Sequence, residues 1–556
     1  MKSFALNRQP LSINQFYLSI FLSIYIGGLL NAVNFNRALN IGGIHDGYQI
    51  GLSLTVMVLF CYFLLELSAV ASSISYKILA SVLVLFSAAA SYYMIFFNVV
   101  IGYGVIASVF KVTDLELASE SVGYKFILWV LVFGLLPVIA INYVKLKNTF
   151  WQQVFGKSRG LITITSLILV VFLIKTSVNT IDEIGMSKSK AQNKYTAIPS
   201  GIMTSSYLPT NWIAGMSIYA YQEFGSDNKN LVDPTEIYEY VEQSSLEDTY
   251  VVFVLGETTR SDHMQLLGYP RETNPNLMNE KNLVAMNGIS CDTATLLSMR
   301  CMFVREGAAA DNDQREVSEH NIFYVLSKLG FSSELYAMQS EVWFYNTINA
   351  DYYEMREALA ANLDPNIKHF DDMVLIDYMK KSIERHTEGK HLVVLHTKGS
   401  HYSYSQRYPR DQAFFKPDCG SIDTKCTLSA QINSFDNSVR YVDLFMSRIF
   451  DQLRDKKAIV FYSADHGESI DENSHFHATP KEIAPEEQFK VPMLVWASEL
   501  YLDDPIRNQA FSNLRAKQKL NETAYHEEIF SSVLGCLGYQ SENGGINPDN
   551  NWCAEP

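Results

Sequence analysis

Three short apolar runs in the second half of the chain end on side chains able to bind a cation or move a proton. Residues 251–255 lead into Gly256-Glu257-Thr258-Thr259-Arg260, residues 392–395 into His396-Thr397-Lys398-Gly399-Ser400-His401, and residues 459–462 into Ser463-Ala464-Asp465-His466-Gly467-Glu468. Carboxylate oxygens and imidazole nitrogens of this kind suit Zn2+ in a four-coordinate site. Each motif has a plain alternative: Asp465-His466 as a surface turn, and Glu257 as a residue that caps a helix amino terminus. Their shared position directly after β-rich runs gives them weight, because sites in open α/β sheets form beyond the carboxyl ends of the strands. Ser474-His475-Phe476-His477 adds two imidazoles. One of these could bind a second metal or a phosphate, or protonate a leaving oxygen.

The segment 291–301, CDTATLLSMRC, offers a nucleophile. A threonine hydroxyl is weak near neutral pH unless a metal favours its alkoxide. Thr295 is the candidate, with Thr293 and Ser298 as rivals that spacing alone does not separate from it.

The elements that must position these groups form an alternating pattern from residue 247 onward. Strands are predicted at 250–255, 333–338, 392–396, 458–463 and 493–497, with helical periodicity at 371–386 and 431–453. This pattern predicts an α/β domain over residues 247–556, with a mainly parallel central sheet covered on both faces.

The preceding residues are of another kind. Of 556 residues 48% are hydrophobic and 19% charged, which excludes a disordered acidic tail or a nucleic-acid reader. Residues 1–176 carry 11 Lys/Arg against 5 Asp/Glu, whereas the remainder carries 33 against 54. That asymmetry points to a membrane region joined to an acidic soluble domain. Five apolar runs, at 14–33, 50–70, 78–101, 124–144 and 161–174, predict a multi-pass α-helical membrane domain of five spans over residues 1–176. Lys2, Arg8, Lys77, Lys145, Lys147, Lys157 and Arg159 fall on one side, against Arg37, Lys111, Lys125 and Lys175 on the other. Cations are retained in the cytoplasm, so the odd number of crossings puts the soluble domain outside it.

Residues 177–246 read as a linker with a short amphipathic helix, its aromatics at Tyr207, Trp212, Tyr219 and Tyr221. The helix is expected either at the bilayer interface or packed against protein. Six of seven cysteines lie beyond residue 290 in close pairs: Cys291 with Cys301, Cys419 with Cys426, and Cys536 with Cys553. Disulfides in an oxidising compartment are the expected reading, and a zinc cluster the alternative.

Taken together, Gly256-Glu257-Thr258, the Cys291 to Cys301 segment, Ser463 to Ser469 and Ala484-Pro485-Glu486-Glu487-Gln488 resemble the bacterial phosphoethanolamine transferases of the alkaline phosphatase and sulfatase superfamily. Within it, the stretches 337–344, 396–402, 535–539 and 551–553 look most like the subgroup that modifies the Kdo sugar of lipopolysaccharide. The resemblance implies a multi-pass protein of the bacterial inner membrane, expected to be a monomer, with its catalytic domain in the periplasm. It further implies a phosphatidylethanolamine donor and a lipopolysaccharide acceptor. Thr295 would be the nucleophile, and Glu257, Thr295, Asp465 and His466 would hold one Zn2+ tightly. His401 and His477 would meet the substrate phosphate or a second zinc. Thr113 and Glu116 match a donor-binding membrane loop, although Val109 stands where relatives have asparagine and Glu116 is shifted by one. Lipid A-specific members carry another disulfide and a basic residue in the region of Gln339 to Tyr353, and this chain has neither there. Phosphoglycerol transfer, phosphatase or sulfatase action on the same fold, and a receptor with a degenerate enzyme domain, are the competing readings. The sulfatase sequence Cys/Ser-x-Pro-x-Arg does not occur around Thr295.

Overall fold

A computed structural model of the chain describes residues 11–31, 47–97, 99, 101–111, 122–147, 149, 160–169, 171, 207–224, 231–312, 314–363, 365, 369–420, 426–470, 476–481 and 484–555. The chain divides into two compact units, one of residues 1–106 and 122–220, the other of 107–121 and 221–556.

In the first unit, three helices among the described residues are long and apolar enough to cross a bilayer: Leu54–Ala71, Ser73–Phe96 and Tyr124–Tyr143. Shorter apolar helices, Gln15–Asn31 and Gly160–Leu169, fall where the first and fifth spans are predicted. Residues 170 and 172–174 of that fifth run lie outside the described residues. Strand β1 (Ser12–Asn14) pairs in parallel with β2 (Lys145–Lys147), and Lys77 Nζ donates to the carbonyls of Asn142 and Val144 at 2.9 and 2.8 Å. Lys77, Lys145 and Lys147, assigned to one side by charge counting, therefore sit at one end of this unit. Hydrogen bonds between side chains inside it replace the water that hydrocarbon lacks. Ser19 donates to the buried Glu66 at 2.7 Å. The Asn31 amide exchanges two 2.8 Å bonds with the backbone of Leu208. Helix Thr210–Phe224, from the segment read as a linker, buries Trp212, whose indole donates to Ser87 at 3.1 Å; Tyr221 on the same helix is exposed.

The second unit is built on a sheet. Its strands in chain order are β3 (Val241–Glu242), β4 (Thr249–Gly256), β5 (Leu283–Ile289), β6 (Phe331–Ala337), β7 (Tyr352–Glu354), β8 (Lys390–His396), β9 (Lys457–Ala464), β10 (Lys490–Ala497), β11 (Ala524–Tyr525) and β12 (Tyr539–Gln540). Strands β3 and β12 form a separate pair, and the other eight lie in the order β11-β5-β10-β9-β4-β8-β6-β7. Five of the seven pairings in this sheet are parallel, so it is mainly parallel, yet β10 runs antiparallel to both β5 and β9. The run at 493–497 is thus a strand of opposite direction, and its amino end, not its carboxyl end, faces the rim where β4, β5, β8 and β9 finish. Strand β5 escaped the hydropathy pattern because Asn287 and Gly288 interrupt it. Gly288 sits there because a Cβ would meet the Met493 side chain of β10 at 2.8 Å.

Alternation along β4 feeds two cores. Val251, Phe253 and Leu255 join one face, whereas Tyr250, Val252 and Val254 join the other. The second face is covered by helix Leu428–Leu453, capped by Thr427, which presents Phe435, Val439, Val442, Met446 and Ile449 at helical spacing. Helices Ile322–Lys328 and Ile529–Cys536 cover the first face. All three cysteine pairs are disulfides, which removes the zinc-cluster alternative for them, and Cys61 is free and buried.

The Cys536–Cys553 bond ties the last helix of the core to the carboxyl terminus across 17 residues, a loop whose closure restricts the unfolded chain by about 3 kcal/mol. Replacing both cysteines by alanine is expected to lower the thermal midpoint of the detergent-solubilised chain, followed through the fluorescence of the adjacent Trp552; an unchanged midpoint would show that packing alone holds the terminus.

Candidate active site

Four strand ends deliver the polar groups to one rim. Glu257 follows β4, His396 closes β8, Asp465-His466 follows β9, and β5 leads through Ser290–Ala294 to the seven-residue helix Thr295–Cys301. Close backbone approach is needed for this. A Cβ at Gly256 would lie 2.4 Å from the Tyr462 hydroxyl, and one at Gly399, where φ is +48°, would lie 2.5 Å from the Glu257 carbonyl. Ser400 N then donates to that carbonyl at 2.8 Å, joining the His401 loop to Glu257.

Glu257, Asp465 and His466 are completely buried, and one ligand atom from each lies within 4.8 Å of the others. The Thr295 hydroxyl, half-buried and so open to a substrate, stands 3.3 Å from Glu257 Oε2 and 3.2 Å from His466 Nε2. His466 Nδ1 lies 2.9 Å from the Gly467 carbonyl, which calls for the proton on Nδ1 and leaves Nε2 with its lone pair toward the cluster. Asp465 Oδ1 accepts from Thr258 N at 3.2 Å and His466 N at 2.8 Å. Gln339 Nε2 donates to Glu257 Oε2 at 2.8 Å. The remaining oxygens, Glu257 Oε1 and Asp465 Oδ2, are buried and receive no hydrogen bond among the described residues. Two buried carboxylates with bare oxygens directed at one point, beside an imidazole lone pair, fit a divalent cation and fit little else.

The electrostatics agree with that fit. Burial, and then the Asp465 charge, pushes the Glu257 carboxyl well above the ordinary carboxylate range. Burial pulls His466 below its ordinary value. Enclosure in protein takes His477 down to about 4, and enclosure followed by the nearby His477 holds His401 well below its usual value. These imidazoles are therefore neutral near pH 7, the form that ligates metal. Glu257, His401 and His477 make a second cluster within 4.8 Å, with the His401 and His477 rings 5.3 Å apart and the His466 and His477 rings 4.4 Å apart.

The three candidate hydroxyls separate by geometry. Thr293 Oγ1 donates to the Thr479 carbonyl at 2.5 Å, and Ser298 Oγ to the Asp292 carbonyl at 2.9 Å; both side chains are buried. Among the three, the Thr295 hydroxyl is the one that reaches the carboxylate and imidazole. Asp292 is itself held by Arg315, which also bonds the Cys291 carbonyl and so braces the loop together with the Cys291–Cys301 disulfide. His475, Thr113 and Glu116 lie outside the described residues. Gln339 follows β6 at a strand end, but the sequence does not mark it as part of the metal cluster, because an uncharged amide is not an obvious partner for a metal ligand.

A domain with this sheet and this rim is of the sulfatase type: residues 249–539 match the Sulfatase family, and residues 59–211 match the family described as phosphoethanolamine transferase EptA/EptB. The chain is 47% identical over 552 residues to the Kdo(2)-lipid A phosphoethanolamine 7''-transferase of Escherichia coli strain K12, covering 98% of both chains. It is 47% identical over 557 residues to the Salmonella typhimurium protein of the same description, again with 98% coverage of both. Among solved structures it resembles the integral membrane lipooligosaccharide phosphoethanolamine transferase A of Neisseria meningitidis, with a TM-score of 0.79, 25% identity, and coverage of 98% of this chain and 100% of that one. The chain belongs to the phosphoethanolamine transferase family and is an enzyme of that class.

Because the raised Glu257 carboxyl must lose its proton to ligate while the lowered imidazoles are already neutral, Zn2+ affinity of the metal-stripped chain is expected to rise with pH. Glu257→Gln is expected to weaken binding at least about 100-fold and to flatten that slope. Competition with a chelating dye between about pH 5.5 and 8 measures both; a slope unchanged in the variant would place the released proton elsewhere.

Proposed function

We propose that this enzyme transfers phosphoethanolamine from phosphatidylethanolamine to a Kdo sugar of lipopolysaccharide through a covalent phosphoethanolamine-threonine at Thr295, releasing diacylglycerol. The reading is carried by one observation: a single accessible threonine hydroxyl stands 3.3 Å from Glu257 and 3.2 Å from His466. The Kdo acceptor is supported by the 47% identity, over nearly the whole chain, with two transferases named for Kdo(2)-lipid A. The membrane arrangement belongs to the same reading: five spans in the bacterial inner membrane, a linker with an interfacial helix, and the catalytic domain in the periplasm. A monomer is part of the same proposal.

Glu257, Thr295, Asp465 and His466 would hold one Zn2+, and Glu257, His401 and His477 would take a second or meet the substrate phosphate. When bound, the ion supplies positive charge that favours the ionised threonine and offsets charge on the phosphoryl oxygens. The chain's own groups do the rest. Thr295 Oγ forms a bond to phosphorus as the bond from phosphorus to the diacylglycerol oxygen breaks. His401 and His477, half-buried and neutral near pH 7, hold the phosphoryl oxygens through a ring N–H, while the Thr295 proton passes to solvent and the departing diacylglycerol oxygen takes one from water. A sugar hydroxyl then attacks the same phosphorus, and Thr295 leaves with its oxygen. Disulfide bracing and the Thr293 and Arg315 bonds keep Thr295 aligned through both displacements. Thr113 and Glu116 belong to this proposal as donor contacts from a membrane loop. Anchoring in the bilayer raises the effective concentration of two lipid substrates.

Thr295→Ala is expected to cut transfer by about 10³-fold or more, and wild-type enzyme given phosphatidylethanolamine alone is expected to carry aminoethyl phosphate on Thr295 by mass spectrometry. Free phosphate without that adduct would indicate hydrolysis instead. Mass mapping of lipopolysaccharide from cells with and without the enzyme decides the acceptor: phosphoethanolamine on the core sugar supports Kdo, and on lipid A phosphate it replaces that part of the proposal.

A further inference from the structure

We infer that Gln488 is a positioning residue for phosphoryl transfer, acting by clamping the backbone on both sides of His477; the inference rests on the proposed role of His477. Three observations meet here. His477 is flanked by Phe476 at φ +67° and Ala478 at φ +60°, left-handed conformations that residues with a Cβ resist, so the turn needs outside restraint. Gln488 is completely buried and its one amide spans that turn. Its Nε2 donates to the Phe476 carbonyl at 3.0 Å, just before His477, and to Thr479 Oγ1 at 3.1 Å, just after it; its Oε1 accepts from Thr479 N at 3.2 Å. The same Nε2 lies 3.0 Å from Ser469 Oγ, and the Gln488 carbonyl accepts from Gly467 N at 2.8 Å.

Gln488 thus joins the turn bearing His477 to the loop bearing Asp465 and His466. The neighbouring carbonyl of Phe489 accepts from Ser290 N at 2.8 Å, and Ala478 N donates to the Thr293 carbonyl at 2.7 Å, which extends the clamp to the loop that carries Thr295. A longer or shorter side chain at 488 cannot make these bonds together. Gly467 completes the fit, since a Cβ there would lie 2.1 Å from the Glu487 carbonyl. Gln488 touches neither the cation cluster nor a substrate position. Its contribution is to fix where the His477 imidazole stands relative to Thr295, and a misplacement of about 1 Å at such a distance costs on the order of 10²-fold in rate.

The test is a cycle of Gln488→Glu and His477→Ala in the full-length enzyme, read as release of fluorescent diacylglycerol from fluorescent phosphatidylethanolamine. Glutamate keeps the shape and the acceptor for Thr479 N but sets an oxygen against the Phe476 carbonyl. The expected result is a fall of about 10- to 100-fold in kcat with KM unchanged, a thermal midpoint near that of the wild type, and a double variant no slower than His477→Ala alone. Losses that multiply in the double variant, or a Gln488→Glu enzyme as fast as wild type, overturn the inference. If His477→Ala is fully active, the proposed role of His477 fails, and a slow Gln488→Glu enzyme would then place the action of Gln488 elsewhere and likewise overturn it. Gln488→Met, similar in volume but without the amide, carries the same cycle should the glutamate variant not fold.

Discussion

Mutual repulsion between two acids sealed from water governs the second unit. Burial, and then the Asp465 charge, pushes the Glu257 carboxyl up, and among the described residues no Lys or Arg donates to the open oxygens Glu257 Oε1 and Asp465 Oδ2. A divalent cation held by Glu257, Asp465 and His466 would complete the arrangement. The neighbouring backbone is shaped to the same end: glycine at 256 and 399 allows contacts closer than a Cβ permits, and both amides that bind Asp465 use the same oxygen. The other oxygen is left aimed inward.

That constraint also explains the division of labour around the threonine. Thr293 and Ser298 spend their hydroxyls on carbonyls and hold the loop, while Thr295 keeps its own for the cluster. Gln339 occupies one oxygen of Glu257 without adding charge, so a neutral donor steadies the acid and leaves its second oxygen available. A lysine there would compete with a cation for the same carboxylate.

Much of this is legible in the amino-acid sequence. The strands at 250–255, 392–396 and 458–463 announced themselves as unbroken β-branched and aromatic runs because they are buried on both faces, and Glu257 and Asp465-His466 could be read directly from their ends. The cysteine pairs were legible from proximity alone. What stayed hidden depended on contacts between distant segments. Strand β5 is broken in pattern by the exposed Asn287 and by Gly288, where a Cβ would meet the Met493 side chain and the Val491 carbonyl across the ladder. The reversed direction of β10 leaves no periodic trace, since a strand reads alike in both senses. Thr295 and Thr293 are two residues apart and chemically identical, and only the position of the Thr479 carbonyl, 186 residues from Thr293, tells them apart.

The antiparallel course of β10 has a consequence for how the molecule comes into being. Because it enters the sheet from the rim, the residues just ahead of it, Gln488 and Phe489, fasten loops that began near residues 467 and 290. A nascent polypeptide emerging in order exposes its acids and its threonine long before this late strand docks. No product cut short ahead of β10 can possess a finished reactive edge, so maturation of the enzyme waits on a strand that begins only at Lys490.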